Sequence, residues 1–265
     1  MKKNIILSVV CGMVAMASLT SCNDFLQVSA TNQNEMDKSF TTYDKLRLAT
    51  AYLYMKPWFG FHSTRLFAMG DARGNNIYGD NNNETGYAPY CLFTDKPNTP
   101  GLADAWNSLY IVVTQADYII NDYAPQGRQH FSEAQANACE GEARFMRAAA
   151  YYYLASYWHD VPIMDNPIAH TEAFNMAPTR FEDVIRYGIR DLEYAAEWLP
   201  LADADGRVTR YSALGLLARY YVTLAAYARG GHCTQATMDY YEASGSHDLA
   251  DILYDLAKEG AGEEV

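Results

Sequence analysis

The chain has 265 residues, 49% hydrophobic and 14% aromatic, with a formal net charge of −12. That much apolar material excludes disorder as the main state and is enough for one or two cores. The acidic balance excludes nucleic acid as a partner, because phosphate binding needs a basic surface.

The first element is a leader. Lys2 and Lys3 precede an apolar run over 5–19, and Leu19-Thr20-Ser21-Cys22 closes it. A positive start, an apolar middle and small residues at the end predict a secretory signal peptide over 1–21. A membrane-spanning helix wants ~20 apolar residues, so this run is short for an anchor. Leu-Thr-Ser-Cys resembles a bacterial lipobox, which makes Cys22 the expected lipidation site and the first residue of a mature chain, 22–265. Each buried methylene contributes ~0.8 kcal/mol, so several acyl chains would hold that chain firmly on a membrane. With Cys11 in the leader and Cys22 acylated, Cys91, Cys139 and Cys233 remain. Three widely spaced cysteines predict small apolar fillers rather than a disulfide framework or a zinc site, with a single disulfide open outside the cytoplasm.

The apolar spacing of Leu46, Ala49 and Leu53 predicts a helix over 40–54, with Thr41 or Thr42 as its cap and Pro57 after its end. The stretch 58–100 follows, rich in Gly, Asn, Asp and aromatics and containing GDARGNNIYGDNNNETGYAPY. It sustains neither helical nor strand period, and an irregular segment of this length in a compact domain is usually functional or disordered. Its aromatics argue against simple disorder.

Helical pattern dominates the rest. Trp106, Leu109, Tyr110, Val113, Asp117 and Ile120 fall on one face of a helix over 102–123. Ser132-Glu-Ala-Gln135 is a capping box that opens a long helix through 158, and Thr179-Arg-Phe-Glu182 reads as a second box. The helix after it carries Phe181, Ile185, Gly188, Leu192, Ala195 and Leu199 in one stripe and stops at Pro200. An apolar helix over 209–227 and a shorter one over 237–258 complete the chain. The chain has 22 tyrosines against 10 phenylalanines, and most of the tyrosines sit in these helical patterns, where an apolar face with a polar tip suits half-buried contacts.

The fold class expected is therefore mainly α. Pairs 102–123 with 132–158 and 179–199 with 209–228 form a tetratricopeptide-like solenoid with a long irregular insertion rich in aromatics and asparagine. In such a stack neighbouring pairs bury stripes that no single pair can bury.

Several blocks, taken in order, resemble the SusD/RagB family of outer-membrane nutrient-binding lipoproteins: CNDFL, GDARGNN, WNSLYIVVTQADYIIN, GEARFMRAAAYYYLASYWHDVPI, DLEYAAEWLP and GRVTRYSALGLLARYY. The resemblance implies a lipid-anchored, exterior-facing outer-membrane protein built on tetratricopeptide-like units. Such a protein captures oligosaccharides, or peptides in some members, for a SusC-like TonB-dependent transporter, and is not an enzyme. Two departures stand out. His159 occupies the place where the family usually has glycine before Asp160-Val161-Pro162, and the family's second half is absent, so the chain reads as an N-terminal portion or the product of a gene cut short.

A sugar has an apolar C–H face and a hydroxyl rim, so its platform needs an open aromatic ring beside hydrogen-bonding side chains. The segment 58–100 supplies that mixture: Tyr87 and Tyr90, then Tyr78 and Trp58, as stacking groups, with Asn81, Asn82 and Asn83 toward hydroxyls. The alternative for the same residues is that the rings anchor the segment and the asparagines form turns. Arg73 is expected to satisfy carbonyls or a nearby acid, Glu140 and Arg144 to pair across a helical turn, and His159-Asp160 to shape a turn. Asp80, Asn82 and Glu84 alternate as oxygen ligands, but Thr85 stands where a calcium loop needs glycine, so no metal site is assigned. No cofactor is expected, because phosphate loops and dinucleotide fingerprints are missing, as are hydrolase nucleophile elbows and zinc-protease motifs. The competing function is a helical scaffold that grips a protein partner.

Overall fold

The computed structural model describes residues 40–55, 58, 60–74, 76, 88–167, 176–232 and 235. Cys22, Tyr78, Asn81, Asn82, Asn83, Tyr87, Cys233, the leader 1–21 and the helix expected over 237–258 lie outside them.

Helix α1 (Tyr43–Ala51) runs into a 3₁₀ turn at Tyr52–Tyr54, which together fill the expected span. Thr42 sits extended at its N-cap, yet its hydroxyl makes no cap bond; its carbonyl accepts from Leu46 N instead. The 58–100 region is less irregular than its composition suggests. It holds π-helical turns at Phe61–Arg65 and Ala68–Ala72 and a short helix, α2 (Ala88–Cys91). Helix α3 (Leu102–Tyr118) continues through a π turn at Ile119–Tyr123 into α4 (Ala124–Gly127).

Helix α5 (Glu133–Trp158) opens on Ser132, whose Oγ accepts from Gln135 N as expected, but the other half of the box differs: Gln135 Oε1 accepts from the Ser132 hydroxyl at 2.9 Å. Helix α6 (Phe181–Trp198) corrects the second box. Thr179 is committed to an antiparallel bridge with Val161, so Arg180 becomes the N-cap residue and makes no side-chain cap bond. The orphan first-turn amide of Phe181 instead donates to Asp160 Oδ1 at 2.9 Å, a cap supplied from twenty-one residues earlier. Helix α7 (Arg210–Arg229) has a complete box of its own between Thr209 and Ser212, which the sequence reading did not assign.

The expected pairing holds: α3 packs on α5 and α6 on α7, while α5 and α6 make the most extensive helix–helix contact. Helix α5 is thus the spine. The α6 stripe is buried throughout, from Phe181 and Ile185 to Leu192, Ala195 and Leu199. Each such large apolar side chain contributes roughly 1.5–3 kcal/mol on burial. Gly188 sits where an added Cβ would overlap the Tyr220 ring, so a hydrogen there lets α7 approach α6. Tyr220 is fully buried, and its hydroxyl donates to the Ala148 carbonyl of α5 at 2.6 Å. Its burial drives its ionisation far above the usual tyrosine range. Cys139 behaves as the expected apolar filler, with burial pushing its thiol up to about 12.

Two buried ion networks tie the helices together, and neither is a local pair. Arg147, 3% exposed, grips Asp191 of α6 through two parallel bonds of 2.7 Å and also bonds Asp117 of α3. Arg144 bonds both Glu140 and Asp191, and Arg128 reaches Glu140, so the predicted Glu140–Arg144 pair is one link in a longer chain. At the far side, Glu142 holds Arg47 and Arg207, and Arg47 also engages Asp203 at 2.7 Å. Burial raises Asp117 to about 7 against the pull of Arg147, and among the described residues its Oδ2 has no hydrogen-bond partner.

Candidate ligand-binding cleft

Two of the rings expected to stack on a ligand belong to the core. Trp58 is 8% exposed, donates its indole N–H to the Leu53 carbonyl at 2.8 Å and lies parallel to His62 at 5.2 Å. Tyr90 is 0% exposed and packs with the main core cluster. Neither offers an open face, so both anchor the 58–100 region instead. Composition reported aromatic rings beside polar groups; it carried no information on which way those rings would turn.

An aromatic and polar surface does occur nearby, in a cleft of about 720 Å³. One wall comes from the irregular region: Met69 and Arg73 around the second π turn, with Asp95, Lys96 and Pro97. The other comes from helix ends, with Leu102, Ala103 and Trp106 opening α3 and Ser156, Tyr157 and Trp158 closing α5. No short window of sequence contains these residues together, which is why periodicity could not find the site.

Local geometry explains the aromatic wall. Trp158 meets Trp106 edge to face at 5.3 Å, and Trp106 packs on Tyr110 at 4.8 Å. Tyr110 in turn donates to the Pro162 carbonyl at 2.7 Å, which fixes the chain just beyond α5. Tyr157 lies parallel to Tyr153 at 6.3 Å. Gly70, in the GDARG block, leaves only 3.1 Å between its missing Cβ and the Tyr157 hydroxyl, so a side chain there would press on the wall. His159 stops α5 directly after Trp158 with φ +66, a backbone state that favours glycine. That is the physical basis of the glycine expected at this place. Here His159 Nδ1 lies 2.8 Å from Asp160 Oδ1, and its ring packs on Phe181 at 4.8 Å. The turn role assigned to His159-Asp160 is the one the structure shows.

The polar wall is held by a turn. Thr99 Oγ1 accepts from Lys96 N at 2.7 Å, and Thr99 N donates back to the Lys96 carbonyl. Arg73 finds the acid anticipated for it, donating to Asp95 at 3.1 Å, while its guanidinium lies 5.5 Å from the Phe93 ring. Phe93 is 66% exposed at φ +54, an open aromatic edge beside the cleft that sequence pattern did not flag. Ser156 Oγ donates to the Tyr152 carbonyl at 2.7 Å, leaving its lone pairs available.

The lining combines aromatic rings with hydrogen-bonding and charged groups. Among its lining residues Asp95 is the sole carboxylate, and glycoside hydrolysis in most families needs a facing pair. Among the described residues no group of three or more His, Cys, Asp or Glu is arranged to hold a metal. No helix of the described residues is long and apolar enough to cross a membrane.

The comparisons with known proteins point the same way. The sequence profile of a SusD-like family, described as starch-binding associating with outer membrane, matches residues 24–222. A SusD-like protein of Bacteroides ovatus is 32% identical over 219 residues, 80% of this chain and 38% of that one. A solved structure with a xylogluco-oligosaccharide aligns at 32% identity and a TM-score of 0.58, over 67% of this chain and 34% of the other. A laminarin-binding SusD-like protein shares the fold, with TM-score 0.59 at 20% identity over 68% of this chain and 40% of its own. The chain spans well under half the length of each of these relatives.

Proposed function

The chain belongs to the SusD-like family, and we propose that it is a cell-surface lipoprotein that captures nutrient oligosaccharides for a SusC-like TonB-dependent outer-membrane transporter. The family is one of outer-membrane-associated carbohydrate-binding proteins rather than enzymes. The observation that carries the reading to this chain is the cleft, whose lining combines Trp106, Tyr157 and Trp158 with Arg73, Asp95 and Lys96. Aromatic faces take the C–H side of a sugar ring, and the charged and hydroxyl groups take its rim. Its size is in the range of small-ligand sites, roughly 300–1,000 Å³. Tyr78, Tyr87 and the asparagines at 81–83 lie in the sequence between Arg73 and Asp95 and are proposed as further ligand contacts.

Cys22 is the proposed point of acylation, leaving 22–265 tethered to the outer membrane after removal of 1–21. The test is purification of the natural full-length protein from outer membranes. Co-purification of a β-barrel transporter, together with saturable oligosaccharide binding, supports the proposal. Recovery of neither removes it. A second reading, a scaffold for a protein or peptide partner, draws on Leu48, Tyr52 and Met55, which lie exposed at helical spacing along α1 and its following turn. It predicts partner binding that is indifferent to sugars.

A further inference from the structure

Resting on that oligosaccharide-binding reading, we infer that the cleft selects acidic sugars, with Arg73 and Lys96 taking the carboxylate of a uronic acid unit against the Trp106–Trp158 wall. The chain as a whole is acidic, at −12. The cleft lining reverses that sign, because its charged residues are Arg73, Asp95 and Lys96. Asp95 is occupied by the Arg73 guanidinium at 3.1 Å, which offsets its charge toward a ligand. Asp71 acts on the Tyr157 hydroxyl but is not among the lining residues.

The remaining capacity is mostly donor. The hydrogen bond to Asp95 leaves further N–H groups on the guanidinium fork, and a carboxylate matches that fork geometrically. Lys96 is exposed, and its ammonium has no ion-pair partner among the described residues. Its backbone, by contrast, is fixed by the Thr99 turn, so the lysine is delivered to one edge of the cleft. A neutral sugar offers hydroxyls, which need acceptors as well as donors. A uronate offers a charged acceptor, and charge-assisted bonds are roughly twice as strong as neutral ones. Lys96 and Arg73 are therefore specificity-determining residues in a site whose aromatic wall would take either kind of ring.

The experiment titrates the mature chain, 22–265, by calorimetry with trigalacturonate and with its trimethyl ester, the same sugar without charge. At about 50 mM salt the acid is expected to bind about tenfold tighter than the ester, and at about 500 mM the ratio should fall toward threefold through screening. Lys96→Met should collapse the low-salt ratio and Lys96→Arg should retain it. Equal or tighter binding of the ester overturns the acid preference while leaving oligosaccharide capture intact. A ratio indifferent to Lys96→Met also overturns it. Failure of both sugars, and of a neutral xylogluco-oligosaccharide, removes the capture reading as well.

Discussion

Arg147 and Arg73 make the same bond, guanidinium to aspartate, in opposite surroundings. Arg147 lies at the centre of the helix stack with 4% of its side chain exposed, between Asp117 of α3 and Asp191 of α6. Arg73 stands in the cleft wall with 40% exposed, meeting Asp95 at 3.1 Å. A buried pair is costly to desolvate and severe to break, whereas a half-exposed pair contributes little to stability. The first therefore specifies which helices meet, and the second leaves a cation within reach of a ligand. Scaffold and site are separated by environment rather than by residue type.

Substitutions should widen or close that contrast. The largest effect is expected from Arg147→Ala, which leaves buried Asp117 without its cation and Asp191 with Arg144 alone, and should cost about 3–5 kcal/mol in denaturant unfolding. Arg73→Ala should stay within about 1 kcal/mol in the same measurement. Equal losses would erase the distinction. Next comes Gly188→Ala, whose new methyl meets the ring of fully buried Tyr220. Displacing that ring should cost about 1–3 kcal/mol, read as a lowered Tm.

His159→Gly should act in the other direction. Relief of the positive φ, set against a lost bond to Asp160 at the surface, predicts a gain of about 0.5–1 kcal/mol. An unchanged or lower Tm would mean that ring packing on Phe181 outweighs the backbone strain.

The last effect is one of slope. Burial lifts Asp117 to about 7 in the folded chain, above its unfolded value. Its contribution is then complete below the unfolded pKa and lost as pH rises through about 7. Thermal scans of Asp117→Asn should show a shallower fall in Tm across that window than the parent chain, and a steeper one would reverse the assignment.

How much of this was legible in the sequence follows the range of the interactions. Helix α5 was readable to its ends because Ser132 and the apolar period are local signals. The cap of α6 was not, because Asp160 competes for the Phe181 amide from outside the helix while Thr179 is spent on Val161. Glu140 and Arg144 were recognisable as a pair, but Asp191 and Arg128, which make the pair part of a network, lie far away in sequence. The cleft fails the same way. Its aromatic half is written in helices that read as core, and the rings that looked ligand-facing, Trp58 and Tyr90, turn inward.

Those rings also provide the most direct test that the cleft is the capture site. The chain has four tryptophans, of which Trp106 and Trp158 line the cleft and Trp58 is buried. Tryptophan fluorescence followed during oligosaccharide titration should change saturably in the parent chain and in Trp58→Phe. It should lose that change in the Trp106→Phe, Trp158→Phe double variant, whose fold can be checked by circular dichroism. A change that survives in the double variant, or that vanishes with Trp58 alone, would contradict the placement of the ligand between α3 and α5.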